Sequence, residues 1–544
     1  MNEFKERVIY QIYPSSFKDS NNDGWGDLKG IISKLDYLSS LGIGIIRLSP
    51  IYASPMDDMG YDISDYKAIN PRFGTMDDFD ELVSEAKKRD ILIVMDLVIN
   101  HTSTEHAWFK EAIKDVSNNK YRDYYIIKEG KTNKLPNNRD SQFTGTCWEK
   151  IDGLENMYYM HLYCKTQADL NYHNENVILE VEDILKFWLD KGVYGFRCDV
   201  INNIFKTSYE NDSMFKLYLK GEKFYTNQPG MFEVLKRFRV EVLDKYNCFL
   251  VGETGAITPE IGREFLKTRV LDMFFEFDHI YADKSKFIPV FRRDFEAKRL
   301  VEPIFKWQEE VPRIGNYLEN HDQQRSVSRY GNVSHYYKES AKMLALFLLS
   351  LKGTPFIYQG EEIGMTNISD LKYEEVNDCA TLSTVETVKN LLHVKKEKAR
   401  KMVNETICRD HARTPMHWDD SENGGFNEGA KTWLRMNNNY KDINVSSQEN
   451  DKSSILNFYK RMIKFRNESD ILKHGSFKRQ YCSNKICSFY RTYNGRRYLI
   501  LLNFSDNIET YFPKDKLNLV ISTYDEDFRL NALPPRFGGI FEVM

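Results

Sequence analysis

Nowhere in this 544-residue chain do about 18 apolar residues run together, so no membrane-spanning helix is expected. The opening stretch MNEFKERVIYQIYPSSF also lacks the apolar core of a signal peptide. No long run of Lys or Arg occurs, and 76 basic against 80 acidic residues leave a net charge of −4, which removes the electrostatic footprint of a nucleic-acid or anionic-membrane partner. The eight cysteines, Cys147, Cys164, Cys198, Cys248, Cys379, Cys408, Cys482 and Cys487, have neither CxxC nor zinc-site spacing, and several lie inside apolar runs. That is the pattern of buried, reduced thiols. No internal repeat or low-complexity tract is present. These absences together predict a cytoplasmic monomer whose partner is a small neutral molecule.

What is there is enough for a large core: 41% hydrophobic and 14% aromatic residues, in a chain long enough for a barrel-sized domain and one or two smaller units. Short segments rich in Val, Ile, Leu and Phe recur at 8–13, 44–50, 91–100, 195–200, 248–253, 271–277, 314–320 and 354–359. Amphipathic helical patterns follow several of them, at 28–41, 77–89, 177–191, 230–245 and 340–351. Eight such units imply an α/β (β/α)8 TIM barrel, spanning 1–101 and 173–469. A polar, aromatic stretch with the turn signal LPNN interrupts it after the third strand, and residues 102–172 are expected to form a small inserted domain beside the barrel mouth. Beyond about residue 470 the pattern alternates with period two between turns such as Asn494-Gly495, which predicts a C-terminal antiparallel β-sandwich over 470–544.

In such a barrel, loops converge at the C-terminal ends of the strands, so polar residues there carry the chemistry. Strand three ends Asp96-Leu97-Val98-Ile99-Asn100-His101, strand four Arg197-Cys198-Asp199, strand five Gly252-Glu253 and strand seven Asn320-His321-Asp322. Period-two alternation places Arg197 and Asp199 on one face, with Cys198 turned toward the helices. A pair of carboxylates flanking one bond is what glycoside hydrolysis requires, one to attack the anomeric carbon and one to protonate the leaving oxygen. Arg197 should keep Asp199 ionised, while Glu253 has no cation nearby in sequence and is expected to hold its proton higher.

At these residues the sequence resembles the α-amylase family, glycoside hydrolase family 13. The likeness runs over essentially the whole chain through DLVINH from Asp96, GFRCDV from Gly195, VGET from Val251 and ENHD from Glu319. It implies Asp199 as nucleophile, Glu253 as acid/base and Asp322 as a third carboxylate that grips sugar hydroxyls, with His101, Arg197 and His321 as sugar-binding partners. Closer still is the likeness to the oligo-1,6-glucosidase branch, which includes dextran glucosidases and trehalose-6-phosphate hydrolases. QADLN at 167–171 is its marker, and DDMGYD from Asp57 and RDHARTPMHWD from Arg409 offer Asp58, Tyr61 and Arg409 as a clamp closing the pocket around a terminal glucose. In that branch, Val at the position of Val200 goes with α-1,6 specificity. Arg47 departs from the branch, which usually has Trp there; it is either a barrel residue paired with an acid or an altered pocket contact.

Asp19-x-Asn21-x-Asp23-Gly24-Trp25-x-Asp27 alternates oxygen donors around a glycine turn, as a calcium loop does. An EF-hand would need Glu at loop position twelve, where Gly30 stands, whereas the branch resembled has a structural Ca²⁺ loop of this kind, with the Trp25 carbonyl completing the set. The leading expectation is thus a retaining, exo-acting α-glucosidase that hydrolyses terminal α-1,6-linked glucose from short isomalto-oligosaccharides. Trehalose-6-phosphate cleavage is a second reading, since HTSTEHAWF from His101 looks like that group and Lys or Arg in the insert could meet a phosphate. Sucrose isomerisation or glucosyl transfer is a third, although the arginine-rich isomerase loop has no counterpart. The transporter subunits that reuse this fold are membrane-anchored and lack the full acid set, so they fit poorly.

Overall fold

A computed structural model describes residues 4, 6–114, 119–131, 134–216, 218–286, 288–526 and 528–544. Its centre is an eight-stranded sheet built from Ile9–Ile12, Ile45–Leu48, Leu92–Leu97, Gly195–Cys198, Phe249–Glu253, Met273–Phe275, Gly315–Asn316 and Thr354–Tyr358. The strands run parallel in sequence order around the barrel, the first pairing with both the second and the eighth. Each expected strand segment contains one of them. No ladder joins the sixth strand to the seventh among the described residues, so the barrel keeps one seam.

Register explains how the sequence fills this barrel. Ile9 lies beside Ile45, and Val94 beside Gly195, which in turn lies beside Phe249. Ile9, Ile45, Val94, Phe249, Met273 and Phe356 pack together as one interior cluster. Their sequence neighbours Tyr10, Ile46, Met95, Phe196, Leu250, Phe274 and Ile357 belong to the larger core, which takes in the surrounding helices. Both faces of every strand are covered, and this is why the strands read as largely apolar runs, broken by single polar residues toward their C-terminal ends. Gly195 is required inside, because a Cβ there would stand 2.5 Å from the Phe249 carbonyl oxygen.

The outer helices follow ordinary local rules. Met76–Lys88 begins with a reciprocal capping box between Thr75 and Asp78 and buries Phe79, Leu82 and Ala86 along one stripe. The stretch 28–41 is two helices, Leu28–Ser33 and Leu35–Leu41, broken at Lys34. Within the inserted segment, Ile127–Glu129, Met157–Met160 and Trp148–Lys150 form a small antiparallel sheet, and His101–Ser103 pairs with Gln167–Asp169. The C-terminal unit is a five-stranded antiparallel sheet in the order Ser476–Cys482, Ile486–Tyr493, Arg496–Asn503, Gly538–Val543, Leu517–Ser522. Ile500 and Leu502 face the barrel core, and Leu499 and Leu501 face an outer cluster with Tyr511, Leu533 and Phe537. Among the described residues, no helix is long and apolar enough to cross a membrane.

Candidate active site

One strand period above the apolar interior, the inward positions turn polar: Gln11, Arg47, Asp96 and Arg197 follow Ile9, Ile45, Val94 and Gly195. Arg47 Nη2 lies 2.6 Å from Asp96 Oδ2, and Asp96 Oδ1 lies 3.3 Å from Arg197 Nη1. Arg47 is therefore a barrel residue paired with an acid.

Arg197 does more than its sequence position suggests. Its Nη1 is 2.6 Å from Asp199 Oδ1 and its Nη2 is 2.8 Å from Glu253 Oε2, so one guanidinium joins both carboxylates. Glu253 has no cation nearby in sequence, but the sheet register sets Arg197 beside Val251 and brings the fifth strand's glutamate within its reach. The expected ionisation of Asp199 is modified as well. Burial raises the pKa of its carboxyl, Arg197 pulls it down, and the charges of Glu253 and Asp96 push it up again, leaving it well above the ordinary carboxyl value. Glu253 Oε2 also accepts the Val200 N–H at 3.0 Å. Val200 holds a left-handed conformation, φ 38° and ψ 38°, unusual for a β-branched residue.

Asp322 completes the mouth. Its Oδ1 takes Arg409 Nη1 at 3.1 Å and Arg413 Nη2 at 3.0 Å, and its Oδ2 stands 3.1 Å from His321 Nε2. Burial works to raise Asp322, but the charges of Arg409, Arg413 and Arg197, together with its contact to His321, outweigh it and hold the carboxyl below its usual range. His321 is neutral, because burial drives it well below the usual imidazole value against the pull of Asp322. The Gln11 amide meets its Nδ1 at 2.9 Å as a donor, which leaves the ring proton on Nε2, toward Asp322 and the Tyr61 hydroxyl at 2.6 Å. Tyr61 donates to Asp96 Oδ2 at 2.8 Å, and its carbonyl oxygen lies 3.0 Å from His101 Nε2.

Asp58, Asp322 and Arg409, far apart in sequence, meet here: Arg409 Nη2 is 3.0 Å from Asp58 Oδ1. Three partners were not read from the sequence. Asp378, fully buried, takes Arg409 Nε at 2.7 Å; Gln167 donates to Asp58 Oδ2 at 3.1 Å; Arg413 holds Asp322. Burial opposes the ionisation of Asp378, but Arg409 and Arg413 keep its pKa at about 2. Gln167 and Arg413 lay inside motifs already quoted, QADLN and RDHARTPMHWD, which could have marked them. Asp378 sits in no motif.

Beyond Glu253 a cavity of about 370 Å³ opens, lined by Phe143, Tyr163, Val200, Asn203 and Thr226 among others. The only basic side chain in its wall among the described residues is Lys286, paired with Asp278 at 3.0 Å, and Glu222 and Glu253 line it too.

The 19–27 loop lies away from this mouth, packed on residues 427–433. Asp19 and Asp27 are buried; Asp19 accepts the N–H groups of Asn22 at 2.7 Å and Gly24 at 2.8 Å, and Asp27 those of Ser20 at 2.8 Å and Gly30 at 2.6 Å. Asn21 and Asp23 are exposed, and the Trp25 ring stacks on Trp433 at 5.0 Å. Asp19, Asp23 and Asp27 enter no ion pair with a described residue. Asp19 and Asp27 are hard oxygen donors of the kind a divalent cation takes, and in this arrangement their charge is met by backbone N–H groups, the Ser20 hydroxyl and the Asn427 amide.

The family model of the α-amylase catalytic domain matches residues 11–475. The chain belongs to the α-amylase family. It is 44% identical to the oligo-1,6-glucosidase of Parageobacillus thermoglucosidasius over 540 residues, which covers 96% of this chain and 95% of that protein. Among solved structures of similar shape, the trehalose-6-phosphate hydrolase of Bacillus licheniformis superposes with a TM-score of 0.92 at 38% identity, covering 99% of both chains. The isomaltulose synthase of Klebsiella sp. LX3 gives 0.94 at 36% identity, again over 99% of both. Like others in this family, the protein is a glycoside hydrolase.

Proposed function

We propose that the protein is a retaining, exo-acting α-glucosidase that removes terminal α-1,6-linked glucose from short isomalto-oligosaccharides. The observation that carries this reading is Arg197, whose two nitrogens contact Asp199 and Glu253 and so keep those acids close together, beside a pocket end closed by Asp58, Arg409 and Asp322. A short separation suits direct attack rather than an intervening water, for which about 5–5.5 Å is the usual gap. Asp199 attacks the anomeric carbon as Glu253 protonates the departing oxygen. Glu253 then takes a proton from water, which releases glucose with its α configuration kept. His101, Tyr61, His321, Asp58 and Arg409 hold the terminal glucose, and Asp322 grips its ring hydroxyls. The closed end leaves no room for a second sugar behind it, hence exo action.

The aglycone side supports a neutral leaving sugar. A phosphate there would meet Lys286 already neutralised by Asp278, with Glu222 nearby, and no bidentate guanidinium lines that cavity among the described residues. The similarity to oligo-1,6-glucosidases points the same way. We also assign to residues 19–27 one structural Ca²⁺, held by the oxygens of Asp19, Asn21, Asp23, Asp27 and the Trp25 carbonyl; the ion would supply charge balance and rigidity to the loop. Eight free thiols suit a reducing, cytoplasmic setting and a monomer acting on dissolved sugar.

The test is an NMR time course on isomaltose, maltose, sucrose and trehalose-6-phosphate, reading both rate and the anomer released first. Fastest release of α-glucose from isomaltose is expected. First appearance of β-glucose would exclude retention, and preference for trehalose-6-phosphate would exclude the substrate class.

A further inference from the structure

Beside the clamp lie two thiols the proposed chemistry does not use. Cys164 belongs to the inserted segment, and Cys379 opens the helix Cys379–Leu392; they are 215 residues apart, yet their sulfurs lie 2.8 Å from one another. Cys379 Sγ is also 3.3 Å from Asp58 Oδ1, and the three ligand atoms all lie within 4.8 Å of each other. Among the described residues, no other group of three His, Cys, Asp or Glu side chains converges in this way. Both thiols are only partly buried, so an ion has access.

Arg409 Nη2 stands 3.7 Å from Cys379 Sγ, yet three carboxylates against two guanidiniums leave the surroundings net negative. Arg409 is met by three carboxylates, Asp58, Asp322 and Asp378, and Arg413 serves Asp322 as well. Gln167 frames the site, accepting the Cys164 N–H at 2.8 Å and donating to Asp58 Oδ2 at 3.1 Å. Two sulfurs and one carboxylate oxygen are a ligand set for a borderline-soft divalent ion, with a fourth position left for water. Zn–S bonds of about 2.3 Å at a tetrahedral angle need sulfurs roughly 3.7 Å apart, so the pair must open by about 1 Å, which rotation of two partly exposed side chains provides.

We propose that Cys164, Cys379 and Asp58 form an inhibitory site for a zinc-class cation. Binding forms two metal–thiolate bonds and one metal–carboxylate bond, and the two thiol protons pass to the buffer; no electron is transferred. The ion withdraws Asp58 Oδ1 from Arg409, so glucose and metal compete for one carboxylate. Metal binding stands on these ligands alone, whereas the inhibition rests on the α-glucosidase reading.

The experiment uses full-length enzyme, reduced and freed of metal with chelator, with Zn²⁺ as titrant. Calorimetry and, with Cd²⁺, thiolate-to-metal absorption report binding; hydrolysis of p-nitrophenyl α-glucoside reports inhibition. Zn²⁺ at ten times its dissociation constant should raise the apparent KM about tenfold and leave kcat little changed. Cys164→Ser should keep the metal-free rate and lose both the Cd²⁺ absorption of this site and the inhibition, with Cys379→Ser losing the absorption too. Cys482→Ser, which removes the other close thiol pair, should change neither. Equal inhibition of Cys164→Ser and wild type would overturn the site, as would finding Cys164 and Cys379 joined as a disulfide after reduction and removal of the reductant. Zinc bound at these thiols without any change in apparent KM would overturn the inhibitory role. If the enzyme hydrolyses no α-glucoside, the absorption of the two variants still decides the metal site.

Discussion

Replacing Val200 by Thr exchanges one methyl for a hydroxyl on the wall between Glu253 and the 370 Å³ aglycone cavity. Both side chains are β-branched, so the cost of φ 38° is shared by wild type and variant, and the backbone N–H that reaches Glu253 at 3.0 Å is untouched. Val200 is not fully buried, so the new hydroxyl is hydrated when the cavity is empty, and little stability is lost. The effect therefore falls on the aglycone. An α-1,6 acceptor arrives on a flexible methylene and packs against the apolar wall; an α-1,4 acceptor brings ring hydroxyls that Thr can bond. One net hydrogen bond gives about 1 kcal/mol, roughly fivefold in relative kcat/KM. A methyl-sized change in such a wall can supply at most about 200-fold. Parallel kcat/KM measurements on isomaltose, maltose and p-nitrophenyl α-glucoside should show the maltose-to-isomaltose ratio rising about fivefold while the aryl rate stays within a factor of about three. A wild type that prefers maltose, or a variant whose ratio does not move, refutes the role of Val200 and leaves Asp199 and Glu253 unaffected.

Asp199→Asn should lower kcat by more than about a thousandfold, as loss of a nucleophile does; retained turnover would remove Asp199 from that role. The same variant should melt higher than wild type at pH 7, because a carboxyl whose folded pKa is raised costs stability that builds up as pH rises from the unfolded value, 3.8, toward the folded one, and the gain should vanish as pH falls to 3.8. Calorimetric scans at a series of pH values read this, and a lower melting temperature at neutral pH would contradict it. Excess EDTA should lower the melting temperature relative to millimolar Ca²⁺ before it slows hydrolysis; coincident transitions would leave the 19–27 loop without its ion. Asp378→Asn strips a buried partner from Arg409 and should cost about 3 kcal/mol of stability by chemical denaturation while raising KM for isomaltose more than it lowers kcat. An unchanged KM would limit Asp378 to a structural part.

The eight strands were legible because burial on both faces leaves them mostly apolar, with single polar residues such as Gln11 in Ile9–Ile12 and Asp96 in Leu92–Leu97 only near their C-terminal ends. The break at Lys34 was not, since residues 28–41 keep one apolar stripe through it. Asp199, Glu253, Asp322, Asp58, Tyr61 and Arg409 could be picked out singly, from strand ends and motifs. Their wiring could not, because it depends on lateral register. That Arg197 reaches Glu253 follows from its standing opposite Val251, and no spacing along one strand contains that fact. Asp378 escaped for a related reason: it caps a helix in a segment with no motif, and its partner lies 31 residues downstream. The Cys164 and Cys379 pair was equally hidden, since the two lie 215 residues apart and neither has a second cysteine at CxxC spacing.

The seam between Met273–Phe275 and Gly315–Asn316 has a kinetic meaning. Asp199 and Glu253 ride on neighbouring strands locked by a continuous ladder, whereas Asp322 hangs from a two-residue strand paired on one side only. Its loop is tethered by side chains instead, through Arg413 Nε on the His321 carbonyl at 2.9 Å, Gln11 on the ring of His321 at 2.9 Å and Arg325 on Glu319 at 2.9 Å. With the ion pairs from Arg409 and Arg413 to Asp322, these side-chain ties take the place of a strand ladder on that side. The grip on the sugar can thus slacken while the attacking and protonating groups stay in place.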